Sequence, residues 1–187
     1  MDKTHTHLSK TISYALRHNP KAFGLTLDPE GWVPLEALLA ALSKDRGSPV
    51  SLADINYILA NSEKKRFEIQ GSKIRAAYGH SVPDKVDLGK PAAPPETLFH
   101  GTSAKAFHDH IEHEGLKPMS RQMVHLSTDF ATACKVASRH SKDIIVIAID
   151  SGEMWKDGIN FYRTANDGTW LCDFVDPKYF LDATNPS

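Results

Sequence analysis

Arginines and histidines stand at three separated places in the chain where they could bind a phosphate and move a proton. Arg17-His18 ends a predicted helix, a basic run ends at Arg66, and Arg121 lies far downstream. Guanidinium groups hold phosphate oxygens through planar, paired hydrogen bonds and keep their charge at any working pH. The first two places also have an ordinary explanation, because cations complement the dipole at a helix end and basic runs often form a solvated face.

A second group of residues would suit a bound cofactor. His100-Gly101-Thr102 is predicted to close a strand and open a helix, where the backbone can approach a ligand and the helix N-terminus favours a phosphate or carbonyl. His125 and Ser127 are two residues apart, which predicts a strand with both side chains on one face. Taken alone, each of these motifs is also typical of ordinary turns and strands.

Ten histidines in the chain raise the question of a metal site. His108 and His110 are two residues apart and therefore do not share a helix face. His113-Glu114 begins a zinc-protease pattern, but Lys117 stands where the second histidine of that pattern is needed. The sequence therefore predicts no metal.

Two predicted modules must position these residues, and the first covers residues 1–82. Apolar residues at helical spacing predict three helices, and β-type patterns predict strands. The helices are indicated by Leu8–Leu16 with a stop at Asn19-Pro20, by Leu35–Leu42, and by Leu52–Leu59 behind a capping box of Ser51 and Asp54. The strands are indicated by Leu25–Leu27 before a turn at Asp28–Gly31, and by Arg66–Gln70 and Lys73–Ala77 around a turn at Gly71-Ser72. Helices followed by a β-hairpin predict a winged-helix lobe.

Prolines accumulate over residues 83–95, which predicts an extended linker. Beyond it, residues 96–187 are predicted to form an α+β module that is rich in strands. The pattern indicates strands at Leu98–His100 and Ile144–Ile149, a helix at Ala104–Glu114, and a hairpin of Phe161–Arg163 and Thr169–Cys172 around the turn Asn166-Asp167-Gly168.

Composition restricts the class of protein. The chain has 187 residues, of which 41% are hydrophobic and 24% charged, as in a soluble globular protein. Residues 1–90 carry 13 Lys and Arg against 10 Asp and Glu, a balance compatible with nucleic acid. No apolar stretch is long enough for a membrane helix, no secretory signal begins the chain, and two cysteines form no disulfide framework. We therefore expect a cytoplasmic monomer without membrane contact.

The order of the motifs along the chain resembles the RNA 2′-phosphotransferase family. The similarity covers both modules, from about Leu8 to Phe180, and is far more specific than any single motif. The motifs that carry it are Leu16–Pro20, Asp28–Val33, Arg66–Ile69, Lys73–Ala76, His100–Thr102, Arg121, His125–Ser127, Arg139-His140, Met154 with Asp157-Gly158, Phe161-Tyr162 and Trp170-Leu171.

The resemblance implies an N-terminal winged-helix lobe joined to a C-terminal ADP-ribosyltransferase-like lobe with a split β-sheet, and an active site between them. It implies RNA bearing a 2′-phosphate, of tRNA splice-junction type, as partner and NAD⁺ as a consumed co-substrate, without metal. The family's essential set matches Arg17, His18, Arg66 and Arg121. Its NAD⁺-binding positions match His100, Gly101, Thr102, His125, Ser127 and Arg139.

The implied chemistry has two steps. The RNA 2′-phosphate first attacks the ribose carbon that bears nicotinamide, which gives RNA-2′-phospho-ADP-ribose. The ribose 2″-hydroxyl then attacks phosphorus and frees 2′-hydroxyl RNA and ADP-ribose 1″,2″-cyclic phosphate. His18 suits the proton donor to the departing RNA oxygen, and the arginines suit stabilisation of charge on the phosphoryl group.

Two features of the chain bear on this interpretation. Many ADP-ribosyltransferases carry a late glutamate that assists the acceptor or the ribose, whereas the matching stretch here, Asp167–Trp170, has none. An anionic nucleophile needs no base, so this absence suits the proposed substrate. The family usually has an apolar residue where this chain has Thr169, and we expect a small local effect on the ribose pocket.

Two other functions remain open. One is an ADP-ribosyltransferase that caps nucleic-acid or other phosphates and stops after the first step; it would not need the full Arg-His-Arg-Arg set. The other is a non-catalytic winged-helix regulator that senses NAD⁺. A pure sensor would gain little from crowded cations, which repel one another without their ligand.

Overall fold

The computed structural model describes residues 1–62, 64–164 and 168–186. These residues form two compact units, Met1–Gly89 and Lys90–Ser187. Both units combine helices with an antiparallel sheet, so the fold is α+β as the sequence predicts. Within the described ranges, no helix is both long and apolar enough to cross a membrane.

In the first unit, helices pack against a small antiparallel sheet of order β1-β3-β2. The helices are α1 (Lys3–Arg17), α2 (Leu35–Arg46) and α3 (Leu52–Asn61), with a 3₁₀ turn at Pro20–Phe23. The strands are β1 (Trp32–Pro34), β2 (Phe67–Gln70) and β3 (Lys73–Ala76). The three predicted helices and the β2–β3 hairpin are confirmed, with strand ends that differ by one residue.

Local chemistry explains where the helices begin. The Asp2 carboxylate accepts a hydrogen bond from the His5 backbone N–H at 2.8 Å and caps α1. The predicted capping box is present at α3, where the Ser51 and Asp54 side chains each bond the other residue's backbone N–H. The apolar sides of these helices and of the sheet share one core, which includes Leu8, Ile12, Leu16, Leu38, Ile55, Ile58, Phe67 and Ile74.

The predicted strand at Leu25–Leu27 is wrong, because these residues form no strand. The Leu25 N–H closes the 3₁₀ turn by donating to the Pro20 carbonyl at 3.0 Å, and both leucines pack against the core. Their alternation therefore reflects packing of an irregular segment. The third strand, β1, comes after the turn, and Pro34 fits there because β1 lies at the edge of the sheet.

Residues 82–96 contain neither helix nor strand. Val86 is buried within the first unit, and the Asp87 N–H donates to the Pro29 carbonyl at 2.8 Å. In the second unit the Ala92 N–H donates to the Phe161 carbonyl at 2.9 Å. A linker spanning 83–95 stays a prediction, and much of that stretch is bonded to one unit or the other.

The second unit is built on an antiparallel sheet of order β7-β8-β5-β4-β6-β9. Its strands are β4 (Thr97–Ser103), β5 (Val124–Ser127), β6 (Ile144–Asp150), β7 (Tyr162–Arg163), β8 (Thr169–Cys172) and β9 (Phe180–Thr184). Its helical segments are α4 (Ala104–Ala106), a π-helical turn (Phe107–Ile111), α5 (Glu112–Glu114), α6 (Phe130–Ala137), α7 (Ser151–Lys156) and a 3₁₀ turn (Pro177–Tyr179).

Residues of strand β4 point to both faces of this sheet. Leu98 is fully buried in the main core together with Ile147 and Ile149 of the neighbouring strand. Successive residues of a strand point to opposite faces, and on the other face α6 packs against Gly101. A Cβ atom at Gly101 would lie 2.1 Å from the Ala133 carbonyl oxygen.

Several details differ from the predicted second module. The strand predicted at Leu98–His100 continues to Ser103, and the helix predicted at Ala104–Glu114 is helical but contains the π turn. The β7–β8 hairpin is confirmed, whereas Asn166 and Asp167 of its predicted turn lie outside the described residues. Helices α6 and α7 and strand β9 were not predicted.

Candidate functional site

Arg17 ends α1 and is half-buried. Its Nη2 donates to the Arg66 backbone carbonyl at 3.3 Å, although the two residues lie 49 positions apart. The guanidinium carbon lies 4.8 Å from the centroid of the Tyr78 ring, which is a cation–π distance. The Arg66 carbonyl also accepts from the Ala77 N–H at 2.9 Å, so the strand hairpin fixes the position of this acceptor.

His18 is the C-cap of α1 and is exposed. Its backbone N–H donates to the Tyr14 carbonyl at 3.0 Å. Its ring Nδ1 lies 2.7 Å from the Ser81 Oγ, 63 residues along the chain. The first unit therefore places Arg17 against the backbone of Arg66 and His18 against Ser81. That these residues form one site, and their catalytic roles, stay predictions.

Residues 78–81, which follow β3, hold both side chains in place, and we call them the 78–81 segment. The Ser81 N–H donates to the Arg17 carbonyl at 2.9 Å. Gly79 has φ +85°, and a Cβ there would lie 3.5 Å from the Arg17 Nη1. The 78–81 segment was not predicted from the sequence, where its one visible signal is Gly79 beside His80 shortly after a predicted strand.

His80, within this segment, is buried. Burial, together with the charges of Arg17, Arg75 and His18, lowers its pKa from 6.5 to about 4. Among the described residues no hydrogen-bond partner meets its Nε2. His80 is therefore neutral at neutral pH and adds no charge to the cations around it.

The second unit contains a cleft of about 570 Å³, which falls in the size range of small-molecule sites. The predicted site residues His100, Thr102, Arg121 and His125 line it. Further lining comes from the helical segment after β4 and from the following loop, with His110, Ile111, Leu116, Met119 and Met123.

The other predicted cofactor residues are placed differently. His100, Gly101 and Thr102 lie inside β4, not at its end, and the helix begins at Ala104 with Ser103 as N-cap. The prediction that this tripeptide closes the strand is therefore wrong. Gly101 faces α6, while Ser127 and the exposed Arg139 are not among the residues that line the cleft.

The His100 imidazole is held in one orientation. Its Nδ1 lies 3.0 Å from the His125 carbonyl oxygen, which only accepts, so Nδ1 carries the proton. Burial and the charge of Arg121 lower the pKa of His100, against the opposing effect of this hydrogen bond. At neutral pH its Nε2 is therefore an acceptor.

His125 and Ser127 lie in β5 at alternating positions, so the predicted strand with both on one face is confirmed. The His125 Nδ1 lies 3.0 Å from the Met123 carbonyl oxygen. Met123 directly precedes β5, so the contact holds the ring beside the backbone at the start of that strand.

Arg121 is exposed and stands in the loop between α5 and β5. Its backbone N–H donates to the Pro118 carbonyl at 3.1 Å. Met119 in the same loop is 87% exposed and has φ +58°, the only non-glycine residue with positive φ in the described part of the chain. Across that part, no group of three His, Cys, Asp or Glu residues could hold a metal ion.

Comparison with known proteins gives a consistent result. Residues 3–174 match the model of the RNA 2′-phosphotransferase, Tpt1/KptA family. The chain is 43% identical over 176 residues to a probable RNA 2′-phosphotransferase of Acetivibrio thermocellus, covering 94% of this chain and 95% of that protein. A protein of the same description from Agrobacterium fabrum is 45% identical over 185 residues, covering 97% and 96%. One from Rhizobium leguminosarum is 45% identical over 186 residues, covering 98% of both chains.

Proposed function

The chain belongs to the Tpt1/KptA family of RNA 2′-phosphotransferases, and from this premise we propose that it removes an internal 2′-phosphate from RNA by consuming NAD⁺. Family membership supports an enzyme that acts on an RNA 2′-phosphate. The dependence on NAD⁺, the two chemical steps and the residue roles are our proposal.

The observation that carries the proposal is the cluster at the end of α1. An RNA 2′-phosphate bears about 1.5–2 negative charges at neutral pH. Arg17 is fixed by the Arg66 carbonyl and by the Tyr78 ring, and His18 by Ser81, so a cation and a proton donor are held side by side before any substrate binds. Such preorganised groups act on a phosphoryl transition state without the cost of rearrangement.

The cleft of the second unit fits a nicotinamide dinucleotide in its chemistry. Ile111, Leu116 and Met123 supply apolar lining. The neutral His100 offers Nε2 as an acceptor for a ribose hydroxyl. Bound NAD⁺ would supply an electrophilic ribose carbon, and the residues named here would bind and orient it.

The chain's own residues then have distinct roles. Arg17, Arg66 and Arg121 bind the phosphate and stabilise its developing charge. His18 gives a proton to the RNA 2′-oxygen when that oxygen leaves phosphorus. Because the first and second units each contribute residues, we propose that both are needed for turnover.

We also interpret the first unit as a winged-helix lobe and the second as an ADP-ribosyltransferase-like lobe. Helices α1–α3 followed by the β2–β3 hairpin support the first interpretation. A sheet with a helix on one face and a ligand-sized cleft beside its central strands supports the second. A tRNA-like substrate, a cytoplasmic location, a monomeric state and independence from metal stay predictions.

The direct test incubates the protein with a 2′-phosphorylated oligonucleotide, with and without NAD⁺, and with and without excess chelator. We expect 2′-hydroxyl RNA only where NAD⁺ is present, and equal yields with and without the chelator. Phosphate removal without NAD⁺, or loss of activity in the chelator, would contradict the proposal. ADP-ribosylated RNA as the final product would instead identify a phosphate-capping ADP-ribosyltransferase.

A further inference from the structure

The contact between His18 and Ser81 determines which nitrogen of the histidine is available to substrate. Ser81 Oγ lies 2.7 Å from His18 Nδ1. The backbone of Ser81 is itself fixed, because its N–H donates to the Arg17 carbonyl at 2.9 Å. The hydroxyl therefore occupies a defined position beside the His18 ring.

The acid form of His18 makes the direction of this hydrogen bond unambiguous. An imidazolium carries protons on both nitrogens and accepts no hydrogen bond. The Nδ1–H must then donate to the Ser81 hydroxyl oxygen. The other proton, on Nε2, is the one that can be given to a substrate.

The same bond serves the state after proton transfer. Once Nε2 has lost its proton, the neutral ring is the Nδ1–H tautomer and still donates to Ser81. No ring flip or tautomer exchange separates the two states. In enzymes generally, the partner of one imidazole nitrogen sets the role of the other.

We propose that Ser81 is a positioning residue that makes Nε2 of His18 the proton donor to the departing RNA 2′-oxygen. In that step the 2′-oxygen keeps the electron pair of the broken phosphorus–oxygen bond and takes the Nε2 proton. The attacking ribose hydroxyl forms the new phosphorus–oxygen bond and releases its own proton to water. The inference rests on the proposed function for its substrate, and on the geometry of the first unit for its assignment of the nitrogen.

Ser81 is suited to a positioning role because little else depends on its hydroxyl. Its hydroxyl contacts His18, which is exposed, so removing the hydroxyl leaves no buried group unsatisfied. We therefore expect Ser81→Ala to change the free energy of unfolding very little. If the role of Ser81 were merely structural, Ser81→Ala would instead lower the free energy of unfolding.

The test compares Ser81→Ala, Ser81→Thr and Ser13→Ala in the full-length chain. Ser13 lies on α1, and its hydroxyl donates to the Ser9 carbonyl at 2.8 Å, so it is a matched control for loss of a serine hydroxyl. We expect Ser81→Ala to lower kcat by about 10²-fold, as misplacement of a catalytic group can, with an unchanged KM for RNA. Ser81→Thr should restore most of the activity, and Ser13→Ala should match the unsubstituted protein.

A second measurement does not depend on activity. Nitrogen-15 NMR of the neutral imidazole should show His18 as the Nδ1–H tautomer in the unsubstituted protein and a mixture with the Nε2–H tautomer in Ser81→Ala. An Nε2–H tautomer in the unsubstituted protein, or equal kcat values for Ser81→Ala and Ser13→Ala, would overturn the inference. Failure of the proposed function gives a different result. Neither the unsubstituted protein nor any variant would then produce 2′-hydroxyl RNA, whereas His18 of the unsubstituted protein would still be the Nδ1–H tautomer.

Discussion

The guanidinium of Arg17 lies over the ring of Tyr78, with its central carbon 4.8 Å from the ring centroid. The ring covers one face of the guanidinium, while Nη2 is bonded to the Arg66 carbonyl. The phenol hydroxyl is not needed for such stacking, because the attraction comes from the ring face. The 78–81 segment thus supports a proposed catalytic arginine through an aromatic side chain.

Two replacements of Tyr78 should therefore distinguish the contribution of the ring from that of its hydroxyl. Tyr78→Phe should keep the KM for 2′-phosphorylated RNA, whereas Tyr78→Leu should raise it. Loss of a cation–π contact of about 1 kcal/mol corresponds to about a fivefold increase. Steady-state kinetics on a single oligonucleotide measure the effect, and equal KM values for Phe and Leu would show that stacking does not position Arg17.

His80 should make the stability of the first unit depend on pH. Its pKa is about 4 in the folded chain, against the ordinary histidine value of 6.5 that applies to the unfolded chain. The unfolded chain therefore binds the extra proton first, and stability is full above about pH 6.5 and falls as the pH drops toward 4. The free energy of unfolding falls by on the order of 3 kcal/mol over this range. Urea unfolding at a series of pH values should show that stability falls more steeply with decreasing pH in the unsubstituted protein than in His80→Asn.

Gly101 should be intolerant of even one extra carbon. A Cβ would lie 2.1 Å from the Ala133 carbonyl oxygen, which belongs to helix backbone and cannot swing aside. We expect Gly101→Ala to lower the free energy of unfolding by about 2–3 kcal/mol or more. Gly168→Ala is the control, since its Cβ would lie 3.7 Å from the nearest atom, the Thr128 Oγ1. Similar unfolding midpoints for the two variants would contradict this packing explanation.

The charge of Arg121 should be detectable at His100. Because Arg121 helps to lower the pKa of His100, Arg121→Gln should raise that pKa. Burial is the larger cause and persists in the variant, so the pKa should stay below 6.5. Arg121→Lys keeps the positive charge, so the pKa of His100 should be lower in this variant than in the Gln variant. NMR titration of the His100 ring tests both directions, and an unchanged pKa in the Gln variant would place the charge of Arg121 away from His100.

Loss of His18 or Arg17 should affect the second chemical step more than the first. In the proposed mechanism, nicotinamide leaves as a neutral ring without proton transfer, whereas an RNA alkoxide must leave in the second step. A general acid typically contributes about 10²–10⁴ in rate and a charge-stabilising donor about 10²–10³. His18→Ala and Arg17→Ala should therefore accumulate ADP-ribosylated RNA, seen as a slower band on denaturing gels. Variants that bind both substrates but release no nicotinamide would refute this division of roles.

The sequence predicts elements whose cause is local and misses contacts between distant residues. Helix α3 could be predicted because Ser51 and Asp54 are three residues apart and cap it together. The hydrogen bond between His18 and Ser81 could not, because no sequence spacing predicts a contact between residues 63 positions apart. The packing of α6 against Gly101 could not be predicted either, because α6 itself was not.

The cluster at the end of α1 also has a consequence for synthesis of the protein. Arg17 and His18 are translated early, but the groups that hold them are 49 and 63 residues further along the chain. At about 5–20 residues per second, several seconds pass on the ribosome before Ser81 emerges. Throughout that interval α1 carries these residues without the groups that hold them. A nascent chain therefore gains the ordered form of the proposed phosphate-binding cluster only after nearly all of its first unit has been made.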